Sequence, residues 1–282
     1  LVAPLNVQKK FAALEALYKR VLDITEQGKG AEDYALVPPS MSLANFYYGQ
    51  KRYADQAAVL TRALAIAEKA KGKEDISLNA ILTAFVNMNN AQAQQAKSVP
   101  YQQRLIAILE KANGTEDYTL VAPLTALSGL YTAQKLYAEA EAPLLRAQAI
   151  TEKAKGKDDY ALYGTLNALA NLSNIAKDYP KSEGLYRRMV EVTEKAKGAG
   201  DIAVVAPLGM LANNLAAQKR PSEQEALLKR MIAISEQVKG AEDYGLVSLL
   251  TQLSNSLAAQ AKATEREPVL LRALAITEKA KG

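Results

Sequence analysis

Apolar residues recur at helical spacing twice within residues 115–156. A polar break near 134–136 separates the two stripes. A spacing of three to four residues places apolar side chains on one face of an α-helix. The segment therefore predicts two amphipathic helices joined by a short turn. The first stripe is Leu120, Leu124, Leu127 and Tyr131, and the second is Tyr137, Ala140, Leu144, Ala147 and Ile150.

This two-helix pattern returns along the chain at a constant interval of 42 residues. A glycine closes each copy, with an arginine ten residues before it and a glutamate four residues before it. A fixed period in this range is typical of stacked supersecondary units, each too small to bury its own apolar face. The three columns are Gly30, Gly72, Gly114, Gly156, Gly198, Gly240 and Gly282; Arg20, Arg62, Arg104, Arg146, Arg188, Arg230 and Arg272; and Glu26, Glu68, Glu110, Glu152, Glu194, Glu236 and Glu278.

The period divides the chain into one partial and six complete repeats. Residues 1–30 match the second half of a repeat. Their LVAPL at 1–5 lies seven residues closer to that half than the LVAPL at 120–124, so about two helical turns of the first helix are missing. We predict a single all-α domain over 1–282, built of tandem antiparallel helix hairpins. The complete repeats are 31–72, 73–114, 115–156, 157–198, 199–240 and 241–282.

Local signals mark the ends of each helix. Gly156 suits the left-handed position after a helix, which glycine adopts at least cost. Asp117 suits the cap of the next first helix and Pro123 suits its first turn, and the pattern leaves open which of the two marks its start. A column of small residues in the first helix, broken by Val86, predicts a close approach of the second helix. Its other members are Ala44, Ser128, Ala170, Ala212 and Ser254.

Composition removes most catalytic chemistry. The chain has no cysteine and no histidine. Disulfides, thiol nucleophiles, imidazole bases and thiolate or imidazole metal ligands are therefore excluded. The sequence has no glycine-rich phosphate loop and no nucleophile beside a base. We expect no enzyme activity and no cofactor.

Charge and hydropathy argue against two classes of partner. The net charge of +5 is mild, and basic residues are interleaved with acidic ones, so we expect no nucleic-acid binding. No apolar run approaches the ~18 residues of a membrane span. Adjacent carboxylates such as Glu116 and Asp117 recur in the loops between repeats and have the chemistry to bind calcium. Helix capping explains them more simply.

Repeat 157–198 carries a recognisable set of residues, namely Leu166, Asn167, Leu169, Ala170, Tyr179, Tyr186 and Arg188. With these residues the repeat resembles the tetratricopeptide repeat of the 42-residue kinesin-light-chain type. The resemblance covers the six complete repeats and, more weakly, 1–30, and it implies a right-handed α-solenoid. Two positions depart from the family pattern. The glycine before the turn is replaced by Arg52, Leu136, Asp178 or Arg220, and the small residue early in the second helix is replaced by Gln56, Gln224 or Arg266.

In such repeats the first helices line a concave face that binds a peptide or partner protein. The middle inward position is asparagine in five of the six complete repeats. A carboxamide both donates and accepts, so such a column could pair with the backbone of an extended peptide. It could equally bond to carbonyls of neighbouring helices and only stabilise stacking. The candidate binding residues are Asn45, Tyr48, Asn87, Asn90, Asn167, Asn171, Asn174, Asn213 and Asn255.

We therefore expect a non-catalytic protein-interaction scaffold. A second hypothesis is a structural subunit that assembles head to tail into a filament, because neither end shows the polar cap of soluble repeat arrays. If Leu1 is a processed mature N-terminus, a secreted or extracytoplasmic location is favoured. The candidate end-to-end contacts are Leu5, Phe11, Leu14, Leu270, Leu274 and Ile276.

Overall fold

The computed structural model describes residues 11–281. Within this range the chain forms thirteen α-helices joined by short loops, and no strand. The helices are α1 (Phe11–Lys29), α2 (Val37–Gly49), α3 (Tyr53–Lys71), α4 (Asn79–Ala91), α5 (Gln95–Asn113), α6 (Val121–Ala133), α7 (Tyr137–Lys155), α8 (Leu162–Ile175), α9 (Tyr179–Lys197), α10 (Val205–Ala217), α11 (Pro221–Lys239), α12 (Leu246–Ala259) and α13 (Ala263–Lys281).

The chain divides between Pro143 and Leu144, within α7, into two compact units. The first unit holds α1 to α6, and the second holds α8 to α13. Within each unit consecutive helices pack on one another, so that first helices contact second helices of the same repeat and of the neighbouring one. That the whole chain is one domain stays a prediction.

Small residues let the paired helices approach closely. The column predicted from the sequence is buried in every complete repeat, including the larger Val86. Leucine, isoleucine and tyrosine side chains then fill the space between first and second helices, such as Leu43 and Leu60 in the core of the first unit. The larger Gln56 is accommodated as a buried residue, and Arg266 lies exposed and donates to Ser254 Oγ at 3.1 Å.

Four of the six first helices in the described chain, α2, α4, α6 and α10, begin with a two-step structure. The Asp117 carboxylate accepts from the Thr119 backbone N–H at 2.8 Å and caps a single 3₁₀ turn, Tyr118–Leu120. The α-helix begins directly after it, at Val121. The aspartate therefore caps the 3₁₀ turn, and the proline lies within the first turn of the α-helix. Equivalent bonds form at Asp33, Asp75, Asp159, Asp201 and Asp243.

The closing glycines adopt a different conformation from the predicted one. Gly198 has φ of 96° and ψ of 147°, which is extended backbone with positive φ rather than the left-handed helical region. Its N–H still bonds to the Glu194 carbonyl at 2.8 Å. This region is essentially restricted to glycine, whereas the predicted left-handed region also admits a few other residues. The observed conformation therefore explains why the position is always glycine.

The residue with positive φ in each hairpin turn lies one position before the place where the family pattern has a glycine. Positive φ occurs at Lys51, Lys135, Lys177 and Lys219, and at the alanines that replace them in two repeats, not at the column of Arg52. At Lys219 the turn is closed by bonds from the N–H groups of Lys219 and Arg220 to the carbonyls of Ala216 and Leu215, both at 3.0 Å. The bonds hold a non-glycine residue in a conformation that ordinarily costs about 1–2 kcal/mol.

The arginine and glutamate columns join consecutive repeats. Arg188 forms an ion pair with Glu152 at 2.7 Å and also donates to the Lys157 carbonyl at 3.0 Å. This arginine therefore reaches back to the second helix of the preceding repeat and to the loop that joins the two repeats, which requires the constant interval. The same ion pairs form at Arg62 with Glu26, Arg104 with Glu68, Arg230 with Glu194, and Arg272 with Glu236.

The acidic pairs of the loops have two structural roles. The second carboxylate caps the 3₁₀ turn or its equivalent, as described above. The first forms an ion pair with a lysine near the end of the second helix of the same repeat, as Asp158 does with Lys195 at 2.6 Å. The other pairs of this kind are Glu32 with Lys69, Glu74 with Lys111, and Glu242 with Lys279. We call these paired loops and helix ends the loop edge.

Candidate peptide-binding face

The asparagine ladder comprises Asn45 and Asn87 in the first unit and Asn171, Asn213 and Asn255 in the second. Each follows the buried small residue of its helix by one position. A helix turns by about 100° per residue, so the next side chain points away from the second helix. All five ladder residues are exposed.

The remaining predicted residues flank the ladder. Tyr48 and Asn90 are exposed, and Asn167 and Asn174 are half-buried. The Tyr48 ring meets Tyr53 edge to face, with 6.1 Å between centroids. The structure therefore leaves every predicted position at least partly accessible, while their binding role stays a prediction.

Four ladder carboxamides make no side-chain hydrogen bond within residues 11–281. They are Asn45, Asn87, Asn213 and Asn255. No ladder residue bonds to a carbonyl of a neighbouring helix over the same range, which is what the stacking interpretation requires. These four groups thus have donors and acceptors unoccupied by the fold.

Asn171 behaves differently because it belongs to a polar network. Its Oδ1 accepts from the Tyr186 hydroxyl at 3.1 Å, and its Nδ2 donates to Asn167 at 3.2 Å. Asn174 Oδ1 accepts from Asn214 Nδ2 at 3.3 Å, and burial raises the pKa of the Tyr186 hydroxyl. Asn90 likewise accepts from Ser98 at 2.7 Å. The bonds of Asn171 and Asn90 stabilise their own hairpins, and the bond between Asn174 and Asn214 joins two neighbouring hairpins.

A cleft of ≈ 450 Å³ lies beside Asn255 in the second unit. Small side chains, Ala216 and Ala259, form part of its wall, and Lys219 and Gln224 also line it. Neither polar residue was predicted from the sequence as a binding residue. The sequence feature that could have indicated the cleft is Pro221, because it replaces the larger tyrosine found at the start of α3, α7 and α9.

A second cleft, of ≈ 760 Å³, lies in the first unit. Its lining includes Tyr53 and the stacked rings of Phe85 and Tyr101, whose centroids are 4.6 Å apart. No ladder residue lines it. It is therefore separate from the candidate face.

The predicted end-to-end residues fall into three groups. Phe11, Leu270 and Leu274 are exposed, whereas Leu14 and Ile276 are buried. Leu14 and Ile276 are core positions, because they lie on the inward faces of α1 and α13. Leu5 lies outside the described residues.

Leu270 and Leu274 differ from their counterparts in internal helices. Leu270 is 41% exposed and Leu228 is 0% exposed, although both occupy the same repeat position. Leu274 is 53% exposed, against 7% for Ile232. In internal repeats the next first helix covers these positions. The outer face of α13 has the same apolar character without that cover among residues 11–281.

The described chain carries neither a metal-binding cluster nor a membrane span. No cluster of three or more metal-ligating side chains occurs there. No helix in that range has the length and apolar character needed to cross a membrane.

No known protein family and no curated protein sequence matches this chain. Solved structures do match. Kinesin light chain nearly identical TPR-like repeats from Podosopora anserina are 19% identical over 73% of this chain and 97% of theirs, with a TM-score of 0.60. BtubC (BKLC) from P. vanneervenii is 15% identical over 82% of this chain and 92% of its own, with a TM-score of 0.60. The apo form of RapI is 13% identical over 99% of this chain and 96% of its own, with a TM-score of 0.55. The chain therefore has the fold of tetratricopeptide repeat proteins, as the repeat pattern predicts.

Proposed function

We propose that this protein is a non-catalytic scaffold that binds an extended peptide or partner segment along the ladder asparagines of either unit. The observation that carries the proposal is the set of four exposed carboxamides without a side-chain hydrogen-bond partner among residues 11–281. An extended peptide presents N–H and C=O groups in alternation, and a carboxamide can pair with either.

The neighbourhood of the ladder favours a backbone ligand. Gly129, Ala216 and Ala258 occupy other inward positions and project little or no side chain. A peptide main chain can approach such a surface closely. The ladder itself is uncharged, so binding through it depends little on the sequence of the peptide.

The test is a peptide selection followed by affinity measurements. A displayed library of unstructured 12-residue peptides is selected on the full chain, and selected peptides are measured by fluorescence anisotropy. Asn45→Ala with Asn87→Ala, and Asn213→Ala with Asn255→Ala, each remove the two ladder carboxamides of one unit that have no side-chain partner among residues 11–281. We expect at least one pair to weaken binding by about tenfold, as loss of two hydrogen bonds implies.

The matched control is Gln27→Ala with Gln237→Ala. It removes two exposed carboxamides that lie on second helices, outside the ladder. Its affinity is expected to equal that of the native chain. Selected peptides that bind both ladder variants at native affinity, or a selection that yields no binder, would overturn the proposal.

A second candidate function is association through the outer face of α13. The exposure of Leu270 and Leu274 favours it, because their counterparts are covered by the next first helix. The face suits a first helix of the same repeat type, supplied by a further repeat or by a second copy.

Sedimentation equilibrium tests this second candidate. If the second copy supplies the helix, Leu270→Lys with Leu274→Lys abolishes concentration-dependent association of the chain. Leu271→Lys is the control, since Leu271 is exposed and its counterparts are Arg187 and Lys229. A native chain that stays monomeric at all concentrations contradicts association between copies.

A further inference from the structure

The cleft beside Asn255 exists because two side chains are smaller than their counterparts one repeat earlier. Ala216 stands where the preceding repeat has Asn174, and Pro221 stands where it has Tyr179. Pro221 is fixed by its carbonyl, which accepts from Ser256 Oγ at 2.8 Å. The opening is therefore part of the packed structure rather than of a loose loop.

The equivalent space one repeat earlier is bridged by hydrogen bonds. Asn214 Nδ2 donates to Ser182 Oγ at 2.5 Å and to Asn174 Oδ1 at 3.3 Å. Around the cleft, the counterparts of Asn214, Ser182 and Asn174 are Ser256, Gln224 and Ala216. These three side chains do not hydrogen-bond to one another. The substitutions have replaced an internal network with an accessible recess.

Three polar groups line this recess without a side-chain partner among residues 11–281. They are the Lys219 ammonium and the carboxamides of Gln224 and Asn255. Gln224 is half-buried, so its carboxamide is partly shielded from water. A donor that is partly shielded from water and has no partner raises the free energy of the protein, and binding an acceptor lowers it.

The charges around the cleft leave one cation uncompensated. Arg220 also lines the cleft, but its guanidinium is held by Glu183 at 2.5 Å and by Glu223 at 2.6 Å. Burial acts to raise the pKa of the Glu183 carboxyl, yet hydrogen bonds from Gln218, Arg187 and Arg220 hold that pKa below its ordinary value. Glu183 therefore stays ionised and occupies Arg220, whereas Lys219 has no carboxylate partner among the described residues.

We infer that this cleft binds a carboxylate of the segment lying on the ladder, through Lys219 with Gln224 and Asn255. The inference rests on the proposed function, because Asn255 belongs to both sites. One free ammonium balances a single negative charge, and the two carboxamides supply N–H donors to its oxygens. A phosphate carries more charge than one free cation neutralises. The carboxylate comes from an aspartate or glutamate side chain or from the C-terminus of the segment.

Small probes test the cleft without a peptide. N-acetylglutamate methylamide carries only a side-chain carboxylate, N-acetylalanine carries only a terminal carboxylate, and N-acetylglutamine methylamide is neutral. Each is titrated into the ¹⁵N-labelled chain, and amide shifts are followed by NMR. We expect the amides of 216–220 and 255–259 to shift with at least one carboxylate probe, and not with the neutral one. The better carboxylate probe identifies the source.

The Lys219→Gln variant should weaken that binding by about tenfold or more, as loss of a charged hydrogen bond implies. Lys177→Gln is the matched control, because Lys177 has the same turn conformation one repeat earlier, beside Tyr179. Ala216→Asn with Pro221→Tyr restores the larger side chains and should abolish binding. This second variant decides the matter if circular dichroism shows that Lys219→Gln is unfolded.

Three results would overturn the inference. They are carboxylate probes that shift no amide of the cleft, equal shifts with the neutral probe, and native affinity in Lys219→Gln or in the filled variant. Probe binding without any selected peptide would instead count against the ladder and leave the cleft standing. The two proposals therefore fail separately.

Discussion

The loop edge and the asparagine ladder are both repeated every 42 residues, yet their polar groups are used in opposite ways. On the loop edge, Arg188 is joined to Glu152 and to the Lys157 carbonyl. On the ladder, Asn213 has no side-chain bond within the described chain. Regular spacing alone therefore does not separate a structural column from a binding column. The presence or absence of a partner does.

The largest expected effect distinguishes two adjacent asparagines. Asn214 is 1% exposed and bonds to Asn174, Ser182 and Gln218, whereas Asn213 is exposed. Asn214→Ala should lower the free energy of unfolding by about 1–3 kcal/mol, because it leaves buried partners unsatisfied. Asn213→Ala should change it by less than about 0.5 kcal/mol. Urea unfolding measures both, and equal losses would contradict the division between ladder and network.

Breaking the loop edge is expected to cost somewhat less. Arg188→Ala removes one ion pair and one hydrogen bond to a carbonyl, so the free energy of unfolding should fall by about 1–2 kcal/mol. Arg187→Ala is the control, since Arg187 is more exposed and pairs mainly with Glu183 in its own helix. A loss no greater than that of the control would mean that the arginine column does not stabilise stacking.

Lowering the pH should weaken the ionic contacts between hairpins over a defined pH range. Hydrogen bonds from Lys229 and Lys262 lower the pKa of the Glu225 carboxyl from 4.5 to about 2. A lowered pKa stabilises the fold above pH 4.5, and this contribution is lost as the pH falls from there to about 2. The native chain and the Glu225→Gln variant should therefore differ in unfolding free energy at about pH 7 and converge across that range.

The pH test has an internal check. Lys262→Met removes one of the two cations that pair with Glu225, so adding Glu225→Gln to Lys262→Met should change the unfolding free energy by less than Glu225→Gln does in the native chain. If the effect of Glu225→Gln does not change with pH, Glu225 stabilises the hairpins through packing rather than through its charge.

The smallest expected effect is a gain in stability at a hairpin turn. Lys51 has φ of 58°, and glycine adopts this conformation without the clash of a Cβ atom. Lys51→Gly should raise the free energy of unfolding by about 0.5–1 kcal/mol, since the greater entropy of unfolded glycine offsets part of the relief. Ala58→Gly, at an exposed site within α3, should lower it by about 1 kcal/mol. A loss in both variants would contradict the explanation.

Features that depend on near neighbours in sequence were predictable. Helix spacing, the closing glycine and the capping aspartate act over a few residues, so the period revealed the helix pairs and the fold. Where these predictions were wrong, the error was local, as with the closing glycine Gly198, whose φ of 96° and ψ of 147° are not the predicted left-handed helical conformation. The small-residue column, including Ala212, was also predictable because its role follows from helix packing.

The sequence by itself determined the repeat, its helices and the exposed register of the ladder. Only the tertiary structure decided which polar side chains are already paired. Arg188 meets Glu152 across 36 positions, and Asn214 meets Ser182 across 32. Pro221 and Ala216 open a cleft beside Asn255, which lies on a different helix, α12. The sequence pattern specifies which face a residue occupies, whereas a hydrogen-bond partner from another helix is fixed only when the helices pack.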